Sequence, residues 1–128
     1  MSLESVRSVC QRFVDYDYTV LRDDVVAEAF GFGIKVVGPK AVEAAVEQIF
    51  QKMFTAEPEN KALHIHEKGG VLEYDLVGTH TGEILGVAPT GRSVRLPCVS
   101  IYDVTVDKIS AIRAYFPSQL ILELARRS

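Results

Sequence analysis

Downstream of Pro58 the apolar residues stop recurring every third or fourth position and begin to alternate, and the alternation runs to Phe116. The stretches ALHIHE, VLEYDLV, SVRLPCVSIYDVTV and KISAIRAYF all read with period two, the pattern of strands with two unlike faces. The breaks between them are Lys68-Gly69-Gly70, read as a tight hairpin, the segment 78–92, and Asp107-Lys108. Strands that follow one another without an intervening helix pair with their sequence neighbours, so the last half of the chain predicts a four-stranded antiparallel meander. That meander constrains the fold more than any other feature.

The first half is mostly helical. Val6, Val9, Cys10, Phe13 and Val14 keep the i, i+3, i+4, i+7, i+8 spacing of one apolar stripe, with Arg7, Gln11, Arg12 and Asp15 off it. Gly31 and Gly33 favour a strand in VVAEAF that turns and leads into IKVV. Gly38-Pro39 opens a second helix, with Val42, Ala45, Val46, Ile49, Phe50 and Met53 on one face, and this helix is expected to end before Glu57-Pro58. Ser118 is read as the cap of a short last helix through Leu120, Ile121 and Leu124, with Arg126 and Arg127 at its negative end. Helices followed by a long antiparallel sheet make the fold class α+β, and 128 residues without repeats or a linker make it a single domain over 1–128.

Parity along the strands locates a candidate site. Leu72, Tyr74 and Leu76 share one face, opposite Glu73 and Asp75. The next strand is apolar on both faces at its centre, so it needs cover on both. Helices supply one cover, and a subunit interface or a concave pocket supplies the other. The polar members of these apolar strands are Tyr74, Ser100, Tyr102, Arg113 and Tyr115, and an apolar cavity holding a few polar groups is the usual small-molecule site.

Several chemistries are excluded or weakened by context. The segment GTHTGEILGVAPTGR, residues 78–92, has the glycines of a phosphate loop but leads into a strand, where a phosphate would need a helix N-terminus. His64 and His66 point to one face of a strand and His80 is a third possible zinc ligand, but no spaced carboxylate that would hold their rings in place is visible, and no metal or cofactor is expected. Cys98 lies mid-strand with nothing to lower its pKa, so it reads as a core thiol. A net charge of −3 without a basic stripe argues against nucleic acid, and no apolar run approaches membrane-spanning length. With no signal pattern at the N-terminus and two isolated cysteines, Cys10 and Cys98, the expectation is a cytoplasmic protein with reduced thiols.

The segment GTHTGEILGVAPTGR, the following strand, DKISAIRAYF and the upstream DDVVAEAF…VVGPKAVEAAV together resemble the SnoaL-like polyketide cyclases over residues 23–127. These belong to the nuclear-transport-factor-2-like superfamily, which also holds ketosteroid isomerase and limonene-epoxide hydrolase. The resemblance implies a curved antiparallel sheet wrapped as a cone around helices, an apolar pocket and a homodimer. It implies a small hydrophobic carbonyl compound as ligand, with aldol-type cyclisation or isomerisation as the chemistry and His80, Tyr74 and Arg113 as catalytic candidates. Tyr74, Leu76, Ser100, Tyr102, Arg113 and Tyr115 are the expected ligand-binding set. The chain also departs from the pattern. An acid follows the terminal aromatic pair in such enzymes, and here Pro117 follows Tyr115-Phe116. The hydrolase's Arg and Asp fall on Tyr74 and Leu76, and the isomerase's Tyr and Asp fall on Phe13 and Ala29. Epoxide hydrolase-like or ketosteroid isomerase-like chemistry, and a non-catalytic binding or dimeric scaffold role, therefore stay open. The stretch between the first helix and RDDVV is short, which implies a reduced second helix of the family.

Overall fold

The computed structural model describes residues 2–126. Helix α1 (Leu3–Val14) starts at Ser2, whose hydroxyl accepts from the Ser5 amide at 3.1 Å. It ends with paired backbone bonds from Tyr16 to Phe13 and from Asp17 to Arg12, with Tyr16 at φ 68 in the left-handed position usually given to glycine. A single 3₁₀ turn (Tyr18–Val20) then stands where the family's reduced helix was expected. Strand β1 (Leu21–Phe30) and strand β2 (Ile34–Val37) form the hairpin foreseen around Gly31 and Gly33. Helix α2 (Pro39–Glu47) starts at Gly38-Pro39 and continues as a π-helical turn over Gln48–Met53.

The sheet completes the chain with β3 (Phe54–His66), β4 (Gly69–His80), β5 (Ser93–Thr105) and β6 (Lys108–Tyr115), and α3 (Ser118–Arg126) closes it. The four strands β3 to β6 form the predicted antiparallel meander. The six-stranded sheet has the order β2-β1-β6-β5-β4-β3, and β1 joins β6 in parallel. The result is the expected α+β fold, a curved sheet that is not closed, with helices over its concave face.

Two boundaries differ from the sequence reading. The second helix ends before Glu57-Pro58 as read, but β3 begins at once at Phe54 instead of at Ala62, so Glu57-Pro58 lies inside a strand. An edge strand accommodates Pro58, because only one of its sides pairs with a neighbour. Gly69 and Gly70 belong to β4, and the hairpin turn is Glu67-Lys68. A Cβ at Gly69 would stand 1.9 Å from the Tyr102 carbonyl oxygen, so this position needs glycine for close approach within the sheet rather than for turning. Arg127 and the side chain of Arg126, expected at the negative end of the last helix, lie outside the described residues.

The concave face carries the core. Val6, Val9, Cys10 and Val14 of α1 share one buried cluster with Leu72 and Leu76 of β4 and Val94, Leu96, Cys98, Tyr102 and Val104 of β5. The convex face is half-exposed, with Val71, Val77, Val99 and Ile101 beside the stacked Phe30 and Tyr115, whose rings lie 4.9 Å apart. Both faces of β5 are thus apolar as read, but the described residues cover only one.

Candidate functional site

A cavity of about 120 Å³ lies on the concave face, between the sheet, the C-terminal end of α1 and the α2 helix with its π turn. Helices and pocket therefore share one side of the sheet rather than taking one side each. Ala27, Ala29, Ile34 and Val36 of the β1–β2 hairpin form one wall, and Val42, Ala45, Val46, Ile49 and Phe50 form another. Phe13 and Phe116 contribute rings, with Phe13 set edge-on to Tyr102 at 5.5 Å and to Tyr18 at 5.8 Å. Tyr16 and Lys61, both exposed, mark the mouth.

The polar groups inside this apolar shell are hydroxyls. Tyr74 of β4 and Ser100 and Tyr102 of β5 are 7%, 6% and 3% exposed. Strand parity puts all three on the concave face, because Leu72 pairs with Ser100 and Gly70 with Tyr102. Ser100 hydrogen-bonds to both phenols, and Tyr74 also meets the Cys98 thiol. Burial raises the Tyr74 phenol well above its ordinary value, and the neighbouring Cys98 and Tyr102 raise it further. Burial likewise raises Tyr102, although its bond to Ser100 acts the other way. Near the mouth, Tyr18 is pushed up to about 12 by burial and then by Glu43, Tyr16 and Glu47. Phenols held neutral in this way can donate hydrogen bonds to an oxygen and cannot serve as bases near neutral pH.

The remaining predicted site residues lie elsewhere. Arg113 is on the convex face, where it donates to both carboxylate oxygens of Asp103 at 2.7 and 3.1 Å. Tyr115 stacks on Phe30 on the same face. Leu76 is fully buried on the concave face but does not line the cavity. His80, 1% exposed, sits at the end of β4 outside the cavity and fastens the following connection. Its Nδ1 accepts from the Thr90 amide at 3.3 Å and lies 3.0 Å from the Thr90 hydroxyl, so the neutral ring carries its proton on Nε2. That Nε2 is buried without a partner among the described residues. Thr90 is the threonine of the P-T-G-R piece and His80 the histidine of G-T-H-x-G, so the two halves of the motif are bonded to each other.

The three histidines weighed as zinc ligands do not meet. His64 and His66 are exposed near one end of the β3–β4 hairpin, with His64 2.7 Å from Glu73, while His80 pairs with Phe54 at the other end. Among the described residues no group of three His, Cys, Asp or Glu could hold a metal ion. Cys98 is buried, and burial pushes its thiol up to about 12, in keeping with a core thiol. The positions matched to the isomerase's Tyr and Asp, Phe13 and Ala29, both line the cavity, and Pro117 does not. Sequence reasoning missed Tyr16, Tyr18 and Lys61. The two tyrosines had a faint signal as an aromatic pair flanking a helix end, and Lys61 had none.

A helix-backed, unclosed conical sheet with an apolar cavity defines the nuclear-transport-factor-2-like class. Within it, the family model for SnoaL-like polyketide cyclases matches residues 9–121, and the chain belongs to that family. Among solved structures, the chain is similar to a candidate polyketide cyclase from Pseudomonas putida KT2440, with 17% identity, TM-score 0.74 and 98% of each chain covered. It is also similar to a phenazine biosynthesis-related protein from Pseudomonas aeruginosa, with 13% identity, TM-score 0.75, and 98% of this chain and 83% of the other covered. A third, an NTF2-like protein of unknown function from Burkholderia pseudomallei, is 18% identical with TM-score 0.62 and 98% of each chain covered. At these identities the likeness is one of fold. No curated protein sequence matches the chain.

Proposed function

We propose that the protein binds a small, mostly apolar carbonyl compound in the cavity, with its oxygen on the Tyr74–Ser100–Tyr102 hydroxyls, and promotes an aldol-type cyclisation or an isomerisation. The supporting observation is that three buried hydroxyls are the polar groups on the floor of an otherwise apolar cavity. Hydrogen-bond donors fixed at a carbonyl oxygen favour the enolate-like charge that both reactions develop, and solvent water at the open mouth takes the α-proton and returns one from solvent. Cyclohexanone is a suitable probe. It is expected to bind and to exchange its α-protons for deuterium faster with the protein than without it, and Tyr74→Phe and Ser100→Ala are expected to weaken both effects. Binding indifferent to both substitutions overturns the reading.

A non-catalytic binding role is the second reading. Two observations favour it: Pro117 stands where the family resemblance calls for an acid, and Glu28, set between the cavity-lining Ala27 and Ala29, turns its carboxylate to the convex face, where it is paired with Lys35 at 3.8 Å. Binding of cyclohexanone without accelerated α-proton exchange selects it.

The proposal extends to a homodimer, formed through the convex face. The Phe30–Tyr115 stack, Val99 and Ile101 give that face an apolar centre, and Asp103–Arg113 and Asp75–Arg95 give it a polar rim. Ile101→Glu is expected to lower the mass measured by light scattering from dimer to monomer. Residence in the cytoplasm is proposed on the free, buried Cys10 and Cys98. No helix among the described residues is long and apolar enough to cross a membrane.

A further inference from the structure

We infer that the ligand carries a carboxylate at the end opposite its carbonyl and that Lys61 binds it. The inference rests on the cavity reading above and adds a second point of recognition.

The geometry comes from an irregularity in β3. Glu59 pairs with Asp75 and Ala62 with Glu73, so Asn60 and Lys61 together oppose the single residue Tyr74. Two residues against one is a β-bulge, a device that re-aims a side chain. The concave-facing residues of β3 are even-numbered before the bulge, at Phe54, Ala56 and Pro58, and odd-numbered after it, at Leu63 and Ile65. Asn60 sits at φ 54 and donates to Asp75 at 3.0 Å, which holds the bulge in place. Lys61 is thereby brought to the cavity mouth beside the strand position that supplies the Tyr74 phenol.

Its charge is available. Glu28, between the cavity-lining Ala27 and Ala29, faces the convex side and pairs there with Lys35, whereas Lys61 forms no ion pair among the described residues. The acidic groups of the mouth stand by the tyrosines: Glu43 and Glu47 act on Tyr18, and Glu57 acts on Tyr16. Glu43 and Glu47 of α2 repel a ligand carboxylate from the Tyr18 side and Lys61 draws it to its own end of β3, which fixes the ligand's orientation. The space sets its size. A cavity of about 120 Å³ is close to the ~150 Å³ engineered cavity that admits benzene. One six-membered ring between a floor-bound oxygen and a rim-bound carboxylate fits that description, so the class is a monocyclic keto acid.

The test compares cyclohexanone, 4-oxocyclohexanecarboxylate and its methyl ester by calorimetric titration of the intact protein at low salt. The carboxylate is expected to bind about fivefold more tightly than the ester, the size of effect a partly exposed charge pair supports. Added salt erodes that preference. Lys61→Met, which keeps the apolar stem, removes it, and Lys61→Arg retains it. Equal binding of acid and ester while cyclohexanone still binds overturns the Lys61 assignment alone, as does a preference that survives Lys61→Met. Failure of all three probes to bind removes the underlying cavity reading and this inference with it.

Discussion

Replacing Ser100 by alanine tests whether the floor of the cavity is one connected unit. Its hydroxyl serves two phenols that are 7% and 3% exposed, so both lose a partner at once. Each bond contributes about 0.5–1.5 kcal/mol net, and a buried group left unpaired costs about 1–3 kcal/mol. Tyr74 keeps its contact with Cys98, which limits the damage. The expected loss is about 1–3 kcal/mol, or roughly 3–5 °C in Tm for each kcal/mol at this chain length. Denaturant melts of Ser100→Ala, Tyr74→Phe and the double variant form a cycle. The connected arrangement requires a coupling of about 0.5–1.5 kcal/mol, because removing Ser100 matters less once the Tyr74 hydroxyl is gone. Additive effects, or a Ser100→Ala protein as stable as wild type, refute the reasoning.

Alkali should destabilise the fold in a defined window. The raised phenols of Tyr74 and Tyr102 favour the neutral form in the folded state, so their contribution is intact below the ordinary value of 10.0 and is lost as pH climbs through their folded values. Urea midpoints flat from pH 7 to 9 and falling beyond about pH 10 are expected, and a midpoint unchanged at pH 11 contradicts the burial of these groups. Burial also pushes Cys10 up to about 11 and Cys98 to about 12, so native thiols should resist a disulfide reagent at pH 8 that labels the denatured chain at once. Gly69→Ala, with its Cβ directed at the Tyr102 carbonyl, should cost more than about 3 kcal/mol and is checked by circular dichroism melting. His80→Ala should leave cyclohexanone affinity unchanged while accelerating amide exchange in 81–92, since His80 fastens that segment without lining the cavity.

Local patterns in the sequence carried the elements and the family, and their limits follow from physics. The α1 stripe, the Gly38-Pro39 start and the period-two strands are all set by residues near one another, and all appear in the structure. The parallel pairing of β1 with β6 joins segments more than eighty residues apart, Phe30 pairing with Tyr115, which no local period encodes. Pro58 was read as a break because its tolerance depends on β3 being an edge, a property of the assembled sheet. Parity likewise sorts the site residues. Tyr74, Ser100 and Tyr102 fall on the concave side, whereas Arg113 and Tyr115 alternate with the cavity-lining Ile112, Ala114 and Phe116 and so face away. Lys61 was invisible because a bulge shifts the alternation it would be read from.

The bond between His80 and Thr90 has a consequence for how this scaffold tolerates change. It acts as a noncovalent clasp at the base of residues 81–89, fixing both ends of the excursion before β5 begins. With the ends held, lengthening the excursion adds only chain-closure entropy, about 0.6 kcal/mol for each doubling in length. Neither the β4–β5 register nor the cavity floor needs to respond. Leu85 and Gly86, exposed at the tip between the buried Ile84 and the half-buried Val87, are therefore the natural port for inserted sequence, where a new loop or a fused module can be carried without disturbing the hydroxyls that define the pocket.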